Sequence, residues 1–285
     1  MSEGSGLSPA ASTPGGGKSA FASLPIALQR QGRLDDIDGV PVLLVPPIHS
    51  DEPPPLLLWM HGRTAWKELD PGRYMRLMRR GIAVCAMDLP GHGARFDADL
   101  QDPSRVPEVV EHAMLEIDGV LAEATERLGA NPQRLAIGGM SAGGMAALAR
   151  LCQPHSLAAA AVEATSGSWQ DLPMAHTIDQ DQFARIERIE PVSHLDGWQP
   201  IPLLATHCRA DEWIPFASQW RFLNDLERHC PRPPVHRVAY DSTGAQGEHA
   251  GFGRHAADAK EQHCRFLSRV LLDPESNQPV GSPQS

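Results

Sequence analysis

Gly138-Gly139-Met140-Ser141-Ala142-Gly143-Gly144 decides how the rest of the chain is read. The run Arg134–Gly138 ahead of it reads as a strand, and the Ala-rich stretch Ala142–Cys152 behind it reads as a helix. Between them, residues 139–143 spell G-x-S-x-G. A tight strand-to-helix turn lifts the Ser141 hydroxyl clear of the sheet and strains its backbone. The flanking residues must be small, because a Cβ there would meet the strand or the helix. The helix N-terminus adds N–H groups that can stabilise a developing negative charge. Three fixed positions in five recur by chance, so the strand before and the helix after carry the specificity. Ser141 is the candidate nucleophile.

Outward from this turn, short apolar runs alternate with longer amphipathic ones. Gly32–Asp36 and Val40–Ile48 flank Asp38-Gly39, a hairpin signal that Pro41 and Pro46 confine to a sheet edge. Leu56–Met60, Ile82–Asp88, Leu157–Val162, Ile201–Thr206 and Val235–Tyr240 read as further strands. Helices are expected from near Pro71 to just before Gly81, Pro107 to Leu128, Pro215 to Arg228 and in the last stretch to Leu271. This rhythm predicts an α/β fold, a mostly parallel central sheet with helices on both faces.

A nucleophilic serine needs a base, and the base needs an acid to orient it. Parallel sheets place their sites at the carboxyl ends of strands. Past Ile201–Thr206 the loop His207-Cys208-Arg209-Ala210-Asp211 offers Asp211, and past Val235–Tyr240 the Gly-rich loop 244–252 offers His249. Glu163, ending the strand before residue 166, and Asp241, after the last strand, are competing acids. His255 and His263 are competing bases, but on the predicted last helix they point away from the strand ends.

Five pieces now stand in order across about residues 33–272: His61-Gly62, Asp88-Leu89-Pro90-Gly91-His92-Gly93, the Ser141 turn, the Asp211 loop and His249. In these the chain resembles the α/β-hydrolases, most of all bacterial carboxylesterases of the dienelactone-hydrolase and prolyl-oligopeptidase-like branch. The resemblance implies a serine hydrolase that cleaves carboxylic esters of small to medium acyl chains through Ser141, His249 and Asp211. Thioesters, amides and peptides are alternative substrates, and a non-catalytic binding module is a further alternative. It also implies an oxyanion hole from the backbone N–H groups of Ala142 and Arg63. Arg63 departs from the Gly or aromatic residue common there, which makes Thr64 the alternative to Arg63 as that second donor. His61 and His92 are expected to brace loops, and no metal or organic cofactor is called for.

Composition bounds the rest. The 285 residues hold 25 Lys+Arg and 35 Asp+Glu, a net charge of −10, with 41% hydrophobic residues. That excludes a disordered or collagenous chain and argues against a nucleic-acid partner, which needs cations on phosphates. No apolar run reaches the roughly 18 residues of a membrane span. Five scattered Cys without a CxxC read as reduced thiols in a cytoplasmic protein. The adjacent His-Cys pairs lack metal-site spacing. Residues 1–20 and 273–285, rich in Gly, Ser and Pro, read as flexible tails around one domain, 21–272. Residues 166–198 exceed a normal connection and read as either an irregular crossover or, as is expected of long insertions, a small cap over the site. Trp169 in that cap, Trp66 near the first loop and Trp213 beside Asp211 are candidate substrate contacts.

Overall fold

Eight strands form one sheet in the computed structural model, which describes residues 18–233 and 235–273. In chain order the elements begin with α1 (Lys18–Ala22), α2 (Ile26–Gln31), β1 (Arg33–Ile37), β2 (Val40–Val45), β3 (Leu56–Met60) and α3 (Pro71–Arg79). Then come β4 (Ala83–Met87), α4 (Val106–Leu128), β5 (Leu135–Met140), α5 (Ala142–Leu151) and β6 (Ala159–Glu163). The chain closes with α6 (Gln180–Ile189), β7 (Leu203–Cys208), α7 (Phe216–His229), β8 (His236–Tyr240) and α8 (Ala256–Leu272). The strand order is β1-β2-β4-β3-β5-β6-β7-β8. The pairs β1–β2 and β2–β4 are antiparallel, and the others run parallel.

The strands β3, β4, β6 and β7 are buried along their whole length, which is why they read as unbroken apolar runs rather than as alternation. On one face Leu56, Leu58 and Met60 pack with Val109, Ile117, Leu148 and Phe222 from α4, α5 and α7. On the other, Leu57 and Trp59 pack with Tyr74 and Leu77 of α3 and with Leu267 of α8. The helix α4 stops at Gly129, whose φ of 59° closes the last turn in the left-handed region that Gly tolerates. Among the described residues no helix is long and apolar enough to cross a membrane.

Three expectations are revised. The hairpin pair lies at one end of the sheet, but within it only β1 is the edge strand; β2 lies inside, and the carbonyl of its Pro41 accepts the Asp88 N–H at 3.0 Å. Residues 18–20 belong to α1, because Phe21 packs against the α3/α8 core; residues 1–17 and 274–285 of the expected tails lie outside the described residues. Residues 166–198 pack laterally: Arg185 and Arg188 of α6 pair with Glu111 of α4, and Trp198 sets its edge on Phe222 of α7 at 6.4 Å. The opposite sheet edge is β8, paired only with β7 and half-buried at every residue.

Candidate active site

At the end of β5, Ser141 has φ 53° and ψ −120°, a backbone strain of about 1–3 kcal/mol for a residue with a side chain. The glycines around it are required by distance. A Cβ on Gly143 would lie 2.5 Å from the carbonyl oxygens of both Met60 and His61, and one on Gly139 would lie 2.5 Å from the Gly143 carbonyl carbon. Gly144 would drive a Cβ to 2.8 Å from the Thr165 side chain. The turn is pinned from β6, with the Ser141 N–H donating to the Glu163 carbonyl at 2.9 Å and Thr165 Oγ1 donating to the Ser141 carbonyl at 2.9 Å.

The loop after β3 passes beside this serine: a Cβ on Gly62 would stand 3.3 Å from the Ser141 Cβ. Arg63 and Thr64 line the same cavity as Ser141, and Thr64 has a φ of 61°. Ala142 is the first residue of α5, so its N–H has no partner within the helix. His61 and His92 do brace the loops. His61 Nε2 accepts the Leu89 N–H at 3.0 Å and its Nδ1 donates to the Gly62 carbonyl, while His92 Nδ1 lies 2.8 Å from the Pro90 carbonyl. Beneath them Asp88 accepts the Lys67 N–H and ammonium and the Ala94 N–H.

The loop after β7 presents Asp211, buried, with Oδ2 2.8 Å from His249 Nδ1. A carboxylate can only accept, so Nδ1 carries the proton and Nε2 is left as the basic nitrogen. Oδ1 accepts the Trp213 and Ile214 N–H groups at 2.9 and 2.8 Å. Burial alone would raise the Asp211 carboxyl, but the hydrogen bonds from His207, His249 and the backbone outweigh it and hold it at about 2. His207, fully buried, brings Nε2 to 2.9 Å from the Ile214 carbonyl and 3.4 Å from Asp211 Oδ2. Trp213 lies against the His249 imidazole, centroids 4.8 Å apart.

Ser141 and His249 open into one cavity of about 340 Å³, which Trp59, Trp66, Leu69, Tyr74, Met140, Glu163, Trp213 and Lys260 also line. Two of the three tryptophans expected there are present. Trp169 is not: it is completely buried in the α4/α5/α7 core, its Nε1 donating to the Ser166 carbonyl at 2.7 Å. No residue of 166–198 lines the cavity, so this segment does not cover it. The competing acids are engaged elsewhere, Glu163 with Arg73 at 2.7 Å and Asp241 with Arg209 at 3.2 Å. His255 stacks on Tyr240, and His263 is buried beside Thr206.

Sequence reading missed Arg73, His207 and Lys260. Arg73 lies 3.8 Å over the Trp59 ring and bridges Asp70 (2.8 Å) to Glu163, the latter a contact between positions 90 residues apart. Only the adjacency of His207 to the Asp211 loop could have flagged it.

The pattern of the alpha/beta hydrolase family matches residues 42–275. The chain belongs to the alpha/beta hydrolase family. Within it, the chain is 26% identical over 205 residues to the esterase YjfP of Escherichia coli (strain K12), covering 67% of this chain and 82% of that protein. The crystal structure of TT1662 from Thermus thermophilus superposes with a TM-score of 0.65 at 26% identity, over 85% of this chain and 98% of that one. The acylaminoacyl peptidase of Pyrococcus horikoshii gives a TM-score of 0.70 at 16% identity, over 89% of this chain but 43% of the peptidase, a likeness of fold. The eight-stranded, mostly parallel sheet is the alpha/beta hydrolase fold, and the protein is a hydrolase.

Proposed function

We propose that this hydrolase is a serine esterase acting on small-molecule carboxylic esters of small to medium acyl chains. The observation that carries the reading is a strained Ser141 opening into the same cavity as His249, whose other ring nitrogen is fixed by Asp211. Ser141 Oγ attacks the ester carbonyl as His249 Nε2 takes its proton. Asp211, held ionised, steadies the imidazolium and keeps the tautomer. The N–H of Ala142, with that of Arg63 or Thr64, stabilises the oxyanion, each donor worth roughly 3–4 kcal/mol. His249 then protonates the leaving alcohol, and in the second half activates the water that hydrolyses the acyl-enzyme. General-base action contributes ~10²–10⁴-fold.

Esterase is favoured over peptidase because the curated relative is an esterase, whereas the peptidase likeness is one of fold. The cavity of about 340 Å³, at the small end of the ~300–1,000 Å³ of ligand sites, supports a short acyl chain. Buried Cys85, Cys152, Cys208 and Cys264 suit a reducing cytoplasm. A fluorophosphonate probe tests the reading: the protein labels and Ser141→Ala does not. Labelling that survives Ser141→Ala, or none in the native protein, overturns it. A series of p-nitrophenyl esters then reads the chain length.

A further inference from the structure

Resting on the esterase reading, we propose that Glu163 and Lys260 form a subsite for a neutral hydroxyl group carried by the substrate close to its scissile carbonyl. Glu163 on β6 is the register partner of Met140 on β5, and both line the cavity. The Ser141 N–H is bonded to the Glu163 carbonyl, so the Glu163 backbone lies directly beside the nucleophile, and both residues line the same cavity. Its carboxylate is buried, and Arg73 of α3 occupies Oε1 at 2.7 Å. Among the described residues the second oxygen accepts no hydrogen bond. From α8, the Lys260 stem lies along Gly72 of α3, and its ammonium meets Asp70 Oδ1 only at 3.5 Å, beyond a good hydrogen bond. An acceptor and a three-donor cation with open valences therefore share the wall of the cavity.

The charge balance selects the ligand. Asp70 and Glu163 offset Arg73 and Lys260, and the adjacent His263 stays neutral, since burial and those two cations push its pKa well below the usual imidazole range. A charged substituent would add an uncompensated charge to this set. A plain alkyl chain would bury the free acceptor and donor unpaired. A hydroxyl donates to Glu163 and accepts from Lys260 at once. Buried ionic sets are weak contributors to stability, so a wall shared with Trp59, Tyr74 and Met140 has little structural need of one.

The test uses two substrate pairs that differ by one hydroxyl: p-nitrophenyl butyrate against p-nitrophenyl 3-hydroxybutyrate for the acyl side, and propyl butyrate against 3-hydroxypropyl butyrate for the alcohol side. One pair is expected to favour the hydroxylated ester in kcat/KM by at least about tenfold, as for a hydrogen bond to a charged group. Lys260→Met, at a partly exposed helix position, brings that ratio toward one, and so does Glu163→Gln where it folds. Ratios near one in both pairs, with Ser141 labelled and the plain esters turned over, overturn the subsite. A ratio unchanged in Lys260→Met overturns the assignment of its residues. Failure to label Ser141 overturns the esterase reading and this inference with it.

Discussion

Asp88 holds Lys67 twice, accepting its backbone N–H on Oδ1 at 2.8 Å and its ammonium on Oδ2 at 2.9 Å. Both residues are buried, and the pair ties the loop that passes Ser141 to the loop after β4. Asp88→Asn keeps the shape but leaves the ammonium facing only Glu68, at 3.2 Å. We expect a loss of about 3 kcal/mol in urea unfolding, as for a broken buried pair, with a fall in kcat as the proposed oxyanion donors on the loop after β3 lose their position.

The same carboxylates set the response to acid. Burial would raise both Asp88 and Asp211, yet their hydrogen bonds and neighbouring cationic groups hold each at about 2, below the ordinary 3.8. A folded-state pKa depressed in this way contributes stability in full above the unfolded value, and that contribution is lost as pH falls from about 4 toward 2. At 1.36 kcal/mol per pKa unit each group is worth about 2 kcal/mol. Urea titrations from pH 6 to pH 2.5 should show the loss in that window, shallower in Asp88→Asn.

Ser141→Gly should separate stability from chemistry. Glycine adopts the strained backbone freely, so the variant is expected to gain about 1 kcal/mol in thermal or urea unfolding. It loses all labelling and turnover.

His207 acts through Asp211 and touches no part of the cavity. His207→Phe removes the donor to the Ile214 carbonyl and loosens the carboxylate. A misplacement of this kind costs about 10–100-fold in kcat, with KM unchanged. His207→Gln, which can restore an N–H toward Ile214, should recover part of the rate; equal losses in both variants would mean that His207 only fills space.

Two glycine substitutions should diverge. A Cβ on Gly143 meets backbone carbonyl oxygens at 2.5 Å, so Gly143→Ala is expected to destabilise by about 2–3 kcal/mol and to disturb the loop at His61. A Cβ on Gly119, inside α4, meets nothing within 4 Å, so Gly119→Ala should stabilise by roughly 0.5–1 kcal/mol. Circular dichroism melts check both.

Much of the candidate site was legible because its geometry is local or ordered along the chain. The Ser141 turn needs glycines at fixed offsets, and Asp211 and His249 each follow a recognisable strand. What stayed hidden depends on which faces meet. Trp169, Ile186 and Ile189 are equally apolar whether they roof a cavity or enter a core, so their pattern could not tell that they enter the core. Arg73, Glu163 and Lys260 come from α3, β6 and α8, and only the packing of both helices on one face of the sheet brings them together.

The half-buried edge position of β8 has a consequence for how this enzyme fails. Asp211 is carried past β7, which has neighbours on both sides, but His249 is carried past a strand with one neighbour. Local opening concentrates where few contacts protect the backbone. Amides of β8 should therefore exchange with solvent ahead of those in β3 and β5, and each such opening releases His249 while the Ser141 turn stays folded. Inactivation by mild denaturant then runs ahead of denaturation and reverses on dilution.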